Sequence, residues 1–484
     1  MASEIELKLD VSREAALAIE GSPLLVGEPQ VIDQRAIYFD TPENGLRKAG
    51  LSLRIRRSGE QRVQTVKAAG GGTAGLFARG EWECPVDGDQ PRLDETNPIR
   101  AIVGDAVERI EPRFEVRIER HLWMVQEGAS TIELVIDRGE TIAADRNSPI
   151  TEIELELKEG AAADLFALAR RLDARAPVRP GVLTKSERGY RLSDEVRSSF
   201  KAEPAALDDG MTSAEAFQRI VYGCVRHFRL NEAALFPDRN PDTLHQARVA
   251  LRRLRSAFSI FASIVRGAEA ERLRGQLRGL AADLGDARNL DVLLDHTEAG
   301  SLRDRIFSAR EDAYDRVEAV LATPSARATM LDLLEWTAAG EWLRNEALET
   351  DRCRPIRAHA EGALNRFRKK VKKDGRDLLT ADDETRHEVR KDAKKLRYAS
   401  EFFKPIFQRK REKRRSKKFV AALEELQEQL GGLNDLATAP EVLRLLDPGG
   451  HAAAIASDPE RKARLIEAAD EAYDDLIDAK CFWR

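Results

Sequence analysis

The chain has 484 residues, 34% charged and 6% aromatic, with a net charge of −5. That length calls for two or three domains, and the apolar stretches fall far short of the roughly 18 residues of a membrane span. Cys84, Cys224, Cys353 and Cys481 lack any C-x-x-C spacing and the seven histidines are dispersed, which argues against a disulfide framework or a thiolate zinc site.

The start, Met1-Ala2-Ser3-Glu4, runs straight into a strand pattern without a basic-then-apolar leader, so a cytoplasmic protein with no membrane partner is expected. After a strand at Glu4–Leu9, Ser12 as N-cap and Gly21 as stop bound a helix over Ser12–Glu20. Strands are expected at Val31–Asp40, Leu51–Arg57, Gln61–Lys67, Glu81–Val86, Arg113–Gln126, Thr131–Asp137 and Thr151–Lys158, and a helix at Ala161–Leu172. About eight strands with polar alternation fit a closed antiparallel barrel. The glycine-rich stretch from Lys67 to Gly75 reads as a flexible hairpin or lid. It is no phosphate-cradling loop, because no G-K-[ST] follows it.

Three of the strand segments place charges on alternate residues: Glu4-Ile5-Glu6-Leu7-Lys8, Ser52-Leu53-Arg54-Ile55-Arg56 and Glu152-Ile153-Glu154-Leu155-Glu156-Leu157-Lys158. A period of two puts the charges on one sheet face and the apolar residues on the other. Ordinary half-exposed strands explain any one segment; all three together point to a charged interior groove or tunnel. Burying so many charges unpaired costs several kcal/mol per ion, so the lining needs a guest that cancels both signs. A phosphate chain carrying divalent cations does this, because hard metals take carboxylate oxygens and phosphates take Lys and Arg.

Residues 201–211, with Pro204 and the Asp208-Asp209-Gly210 turn, read as a linker between a strand-rich domain at 1–200 and a helical one at 212–484. Helix breaks are expected at Pro237–Pro241, Pro324, Thr380–Asp383, Pro440 and Pro448–Gly450. The helical part repeats itself: the stretch from His245 to Arg255 matches that from His387 to Arg397, and Leu284–Leu290 echoes Leu430–Leu436. Two bundle halves related by duplication follow. At about 100° per residue, His245, Arg248, Arg252 and Arg255 form one stripe, with Leu251, Leu254, Phe258 and Phe261 opposite. His387, Arg390, Lys394 and Arg397 repeat it, backed by Ala393, Leu396 and Phe403. A self-repelling basic ridge made twice implies an anionic partner. The runs Arg366–Lys373 and Arg409–Lys418 extend the basic surface. They carry no interleaved stacking aromatics, so a base-free polyphosphate suits them better than nucleic acid.

These residues resemble a known combination. Glu4-Ile5-Glu6-Leu7-Lys8 is similar to the E-x-E-x-K signature of the CYTH, or triphosphate tunnel metalloenzyme, superfamily. Tyr38-Phe39-Asp40-Thr41, Leu53-Arg54-Ile55-Arg56, Thr65-Val66-Lys67, Arg120 before Trp123, Ile132-Glu133, Asp137-Arg138-Gly139, Glu152–Glu156 and Lys185-Ser186 fall in that family's order. The helical part resembles the CHAD domain. The resemblance implies a multidomain α+β protein: an N-terminal eight-stranded antiparallel tunnel barrel with flanking helices, and a C-terminal all-α duplicated bundle.

It further implies hydrolysis of inorganic triphosphate with Mg²⁺ or Mn²⁺, and polyphosphate binding by the helical domain. Glu4, Glu6, Asp137, Glu152 and Glu154 would hold metal, with Glu156 added because it shares their strand face. Lys8, Arg54, Arg56, Lys67, Arg120 and Lys185 would grip phosphates, and Glu4, Glu6, Lys8 and Lys185 form the catalytic set. Glu133 shares a face with Asp137, whereas Arg117 lies off register. A tunnel carboxylate or Lys8 could act as general base. Adenylate cyclases and thiamine triphosphatases share the tunnel, so a nucleotide or thiamine substrate stays open, as does a non-enzymatic polyphosphate-binding role.

Overall fold

The computed structural model describes residues 5–68, 76–77, 81–94, 97–446 and 458–484. Two compact units emerge: residues up to Ser198 together with Thr323–Ala339, and Ser199–Ala322 together with Gly340–Arg484. Glu4, most of the glycine-rich stretch and Pro448–Gly450 lie outside the described residues.

The first unit is built on one antiparallel sheet. Its strands are β1 (Ile5–Val11), β2 (Gln30–Asp40), β3 (Leu51–Ser58), β4 (Gln61–Ala68), β5 (Leu76–Phe77), β6 (Glu81–Pro85), β7 (Glu111–Glu127), β8 (Ser130–Ala143), β9 (Arg146–Glu159) and β10 (Val178–Pro180). They run in the order β10-β1-β9-β8-β7-β2-β3-β4-β6, with β5 paired to β1. Among the described residues the sheet has ten strands and no pairing joins its ends β10 and β6, where eight in a closed ring were expected. The extra strands, β5 and β10, have two and three residues, too few to show a period of two in sequence.

Alternation sorts the faces as read. Leu7, Leu53, Ile55, Ile153 and Leu155 are fully or nearly fully buried, while Arg54 and Arg56 occupy the other face of β3. Leu53 and Ile55 join Phe39, Leu46, Leu51, Val66, Ile99 and Val107 in one core cluster. The helix Arg13–Glu20 forms as expected, with Ser12 Oγ accepting the Ala15 N–H at 3.1 Å.

The helix Pro324–Ala339 lies in the first unit although its sequence sits inside the helical half. Met330, Leu331, Leu333, Leu334 and Trp336 are buried and point all round its circumference, the pattern of a fully packed helix rather than a surface one. Asp332 and Glu335 pair with Arg170, and Arg327 pairs with Asp173, both on the helix Ala162–Asp173.

The second unit is helical, and Leu251, Leu254, Phe258, Phe261, Ala393, Leu396 and Phe403 are all buried. Pro241 and Asp383 open helices as expected. Pro440 does not end one: the helix Lys410–Leu446 runs through it. It packs against the helix Pro459–Asp478, and tertiary packing overrides the local breaker. Among the described residues, no helix is long and apolar enough to cross a membrane.

Candidate active site

Register brings the acids together. On β1 and β9, Glu6 faces Glu156, Lys8 faces Glu154 and Asp10 faces Glu152. On β8, Asp137 faces Glu152 and Glu133 faces Glu156, while Arg120 of β7 faces Asp137. Like charges side by side on neighbouring strands destabilise a sheet unless cations lie between them.

The cations are present. Arg120 takes Asp137 in a two-pronged grip at 2.8 and 2.6 Å and reaches Glu154 at 2.8 Å. Lys8 Nζ lies 2.7 Å from Glu6 and also pairs with Glu154. Lys185 opens the helix Lys185–Ser193, whose N-terminus is fixed by a Thr184–Glu187 capping box. Its Nζ lies 2.6 Å from Asp137, 2.6 Å from Glu152 and 2.8 Å from Glu154. One turn later, Arg188 bonds Asp10 at 2.8 Å and approaches Glu152 at 3.6 Å.

The electrostatics follow from this packing. Burial alone would push the Lys8 and Lys185 ammonium groups toward neutrality, but their carboxylate neighbours outweigh it and both are raised, Lys185 strongly. Burial likewise opposes ionisation of Glu154, yet Lys185, Lys8 and Arg120 hold it well below the usual carboxylate range. Asp137 is lowered against its burial by Lys185 and Arg120.

Beside this paired cluster lies a cavity of about 410 Å³, lined by residues from eight of the ten strands and by the start of the helix Lys185–Ser193. Glu6, Lys8, Arg54, Arg56, Lys67, Arg120, Glu154, Glu156 and Lys185 all line it, as does Glu133. Asp137 and Glu152 do not: they are buried behind the wall. Arg54 donates to the Tyr38 hydroxyl at 3.4 Å, while its Nε is buried without a partner. Arg56 is lowered by burial and by Arg54 alongside, and meets Glu83 only at 3.6 Å. Arg117 lies on β7 outside the cavity lining and pairs with Glu115.

Sequence reasoning missed Glu81 and Glu83 of β6, which line the opposite wall. Glu81 pairs with Lys67 at 2.9 Å and Glu83 accepts from Thr65 at 2.9 Å. Their signal was available in Glu81-Trp82-Glu83, a period-two pair on an expected strand. Lys158, also on the wall, bridges Glu156 at 2.7 Å and Glu133 at 3.3 Å.

The donor set is hard oxygen, which suits Mg²⁺ or Mn²⁺. Among the described residues, Asp137, Glu152 and Glu154 each offer an oxygen within 4.8 Å of the others, but Lys185 Nζ already touches all three. Glu6, Glu154 and Glu156 face the open cavity instead.

In the second unit, His245, Arg248, Arg252 and Arg255 lie half-buried on the helix Pro241–Ile260, and His387, Arg390, Lys394 and Arg397 on the helix Asp383–Phe403. The stripes converge. Burial, then Arg390, Arg252 and Arg397, pushes Lys394 down to about 7. Burial, then Arg288, Arg252 and Arg248, pushes His245 to about 4, and burial with Arg252 and Arg288 takes Arg248 to about 10. Nε of Arg252 and of Arg390 is buried without a partner. Asp286 offsets some of this charge at Arg248, and Asp435 does so at Arg390 and Lys394. His387 meets Asn434 at 3.1 Å. Arg278 and Arg288, unforeseen from the sequence, add to the first stripe.

Comparison with known proteins agrees with these two parts. Residues 2–190 match the family model of the CYTH domain and residues 219–444 that of the CHAD domain. An inorganic triphosphatase of Haemophilus influenzae is 28% identical over 201 residues, a match spanning 40% of this chain and 56% of that protein's length. An uncharacterized protein of Mycobacterium tuberculosis is 27% identical over 438 residues, 82% of each chain. The CHAD domain from the plant Ricinus communis is 26% identical with a TM-score of 0.49, over 57% of this chain and 96% of that one. The chain carries a CYTH domain in its strand-rich part and a CHAD domain in its helical part.

Proposed function

We propose that the tunnel hydrolyses inorganic triphosphate to pyrophosphate and phosphate, and that the helical unit binds inorganic polyphosphate. The observation that carries the reading is a cavity whose wall holds Arg54 and Arg56 with little carboxylate pairing, facing Glu6, Glu154 and Glu156. A linear polyanion fits between such walls.

Arg54, Arg56, Lys67 and Arg120 would grip and align phosphoryl oxygens, with Lys8 and Lys185 supplying fixed positive charge at the closed side. Glu6, Glu154 and Glu156 would hold Mg²⁺ or Mn²⁺, with Glu4 joining them by its place in the motif. When bound, the ion supplies charge neutralisation at phosphoryl oxygens and a lowered water pKa. Asp137 and Glu152 would act behind them, by holding Lys185 and Arg120. The Haemophilus relative supports a triphosphate as substrate. The paired basic stripes support the second half of the proposal: cations this crowded gain most from an anion that offsets their repulsion.

Phosphate release from inorganic triphosphate, ATP and thiamine triphosphate, compared on the purified chain with Mg²⁺, tests the assignment. Inorganic triphosphate should turn over fastest. Equal or faster release from ATP refutes the preference and favours a nucleotide substrate.

A further inference from the structure

The strand-rich unit takes one helix from the other half of the sequence. Pro324–Ala339 falls inside the stretch that matches the CHAD family model, yet it belongs to the first unit, so the chain passes between the units after Ser198, after Ala322 and after Ala339. The helix packs against both the helix Ala162–Asp173 and β10. Arg327 Nε donates to Asp173 at 2.5 Å, and the same carboxylate oxygen accepts the N–H of Val178, the first residue of β10, at 3.0 Å.

From this contact β10 leads into the tunnel wall. Val178, Arg179 and Pro180 pair with Val11, Asp10 and Leu9 of β1, and the Gly181 N–H donates to the Lys8 carbonyl at 2.8 Å. Thr184 then caps the helix that begins with Lys185, and Arg188 of that helix returns to Asp10 at 2.8 Å. Three residues long and at one end of the strand order, β10 has few ladder bonds of its own, so what packs against it sets its position.

Resting on the tunnel reading above, we propose that Arg327 and the helix that carries it are positioning parts of the tunnel: by clamping Asp173 and β10 they fix the backbone from which Lys8 and Lys185 meet the phosphate chain. A segment of the helical half thereby completes the site of the strand-rich half.

Hydrogen exchange on the full chain without substrate reads the clamp directly. In Arg327→Ala the N–H groups of Val178 and Gly181 should exchange about tenfold faster or more, with the helical unit unchanged, and Arg327→Lys should keep most of the protection. Where circular dichroism shows both chains folded, Arg327→Ala should also raise KM for inorganic triphosphate with Mg²⁺ by about threefold or more, a change that a smaller folded fraction would not produce. Unchanged exchange at Val178 and Gly181 overturns the proposal, as does faster exchange with an unchanged KM. If Arg327→Ala does not fold, Asp332→Asn with Glu335→Gln, which releases Arg170 on the same pair of helices, is read in the same way. An unsubstituted chain that does not hydrolyse inorganic triphosphate refutes the function proposed above, and exchange alone then decides the clamp.

Discussion

Tyr190 donates its hydroxyl to Asp40 at 2.6 Å, and the same carboxylate accepts the backbone N–H groups of Thr41, Leu46 and Arg47 at 2.7, 2.8 and 3.0 Å. One buried aspartate thus ties the end of β2 and the turn after it to the helix that delivers Lys185 and Arg188. Tyr190→Phe removes only the hydroxyl and leaves Asp40 its three N–H donors. It should cost about 1.5–3 kcal/mol, the range for a hydrogen bond to a charged group, read by urea unfolding.

Arg54 illustrates opposed demands of stability and binding. Its Nε is buried without a partner, so Arg54→Met should leave the unfolding midpoint unchanged or raise it, since an unsatisfied buried donor is removed. Phosphate release should nevertheless fall by about 100-fold or more, the usual result of deleting one group that stabilises phosphoryl charge. A parallel loss of midpoint and rate would contradict this separation.

The carboxylates fix an acid limit. Glu154 and Asp137 are depressed in the folded state, so their contribution is complete above the ordinary carboxylate range and is lost as pH falls through their folded values. Lys8 and Lys185 are raised, so their contribution is complete below the ordinary lysine range and is lost only as pH rises through their folded values. Stability of the strand-rich unit should thus vary little with this cluster between pH 6 and 9, and decline below about pH 4.5. Glu154→Gln should flatten that acid decline in urea titrations at several pH values.

Lys394 sits near 7 because burial and three cations disfavour its charge. A bound polyanion reverses the imbalance and raises it, so polyphosphate binding at pH 7 to 8 should take up protons, and affinity should weaken as pH rises. Calorimetry in buffers of different ionisation enthalpy reads the proton count directly. Arg252→Glu should weaken binding and reduce its salt dependence; identical heats in every buffer would exclude the coupling.

Arg327 is buried and pairs with Asp173. Arg327→Ala leaves that carboxylate without its counter-ion, with only the Val178 N–H to satisfy it, and should destabilise the first unit by about 3 kcal/mol, whereas Arg327→Met combined with Asp173→Asn should recover much of the loss. The urea midpoints of both variants check this.

Much of the site was legible because a strand's alternation is a local property. Glu6, Lys8, Arg54, Arg56, Lys67, Glu154 and Glu156 all line the cavity. The basic stripes were equally readable, since helical periodicity assigns a face without reference to neighbours. The short β5 and β10, and the adoption of the helix Pro324–Ala339 by the strand-rich unit, were not, because both depend on partners distant in the chain.

Local periodicity thus decided which residues could carry charge into a shared interior, and it did so from one strand or helix at a time. It left open which of those charges neutralise each other and which stay available for a guest. Strand register and the seat of one helix decide the pairings: Asp137 meets Lys185 and Arg120, Glu152 meets Lys185 and Glu156 meets Lys158, while Arg54 and Glu156 line the cavity. Ion pairing between buried groups turns on separations of a few ångströms, and those arise only when distant segments pack.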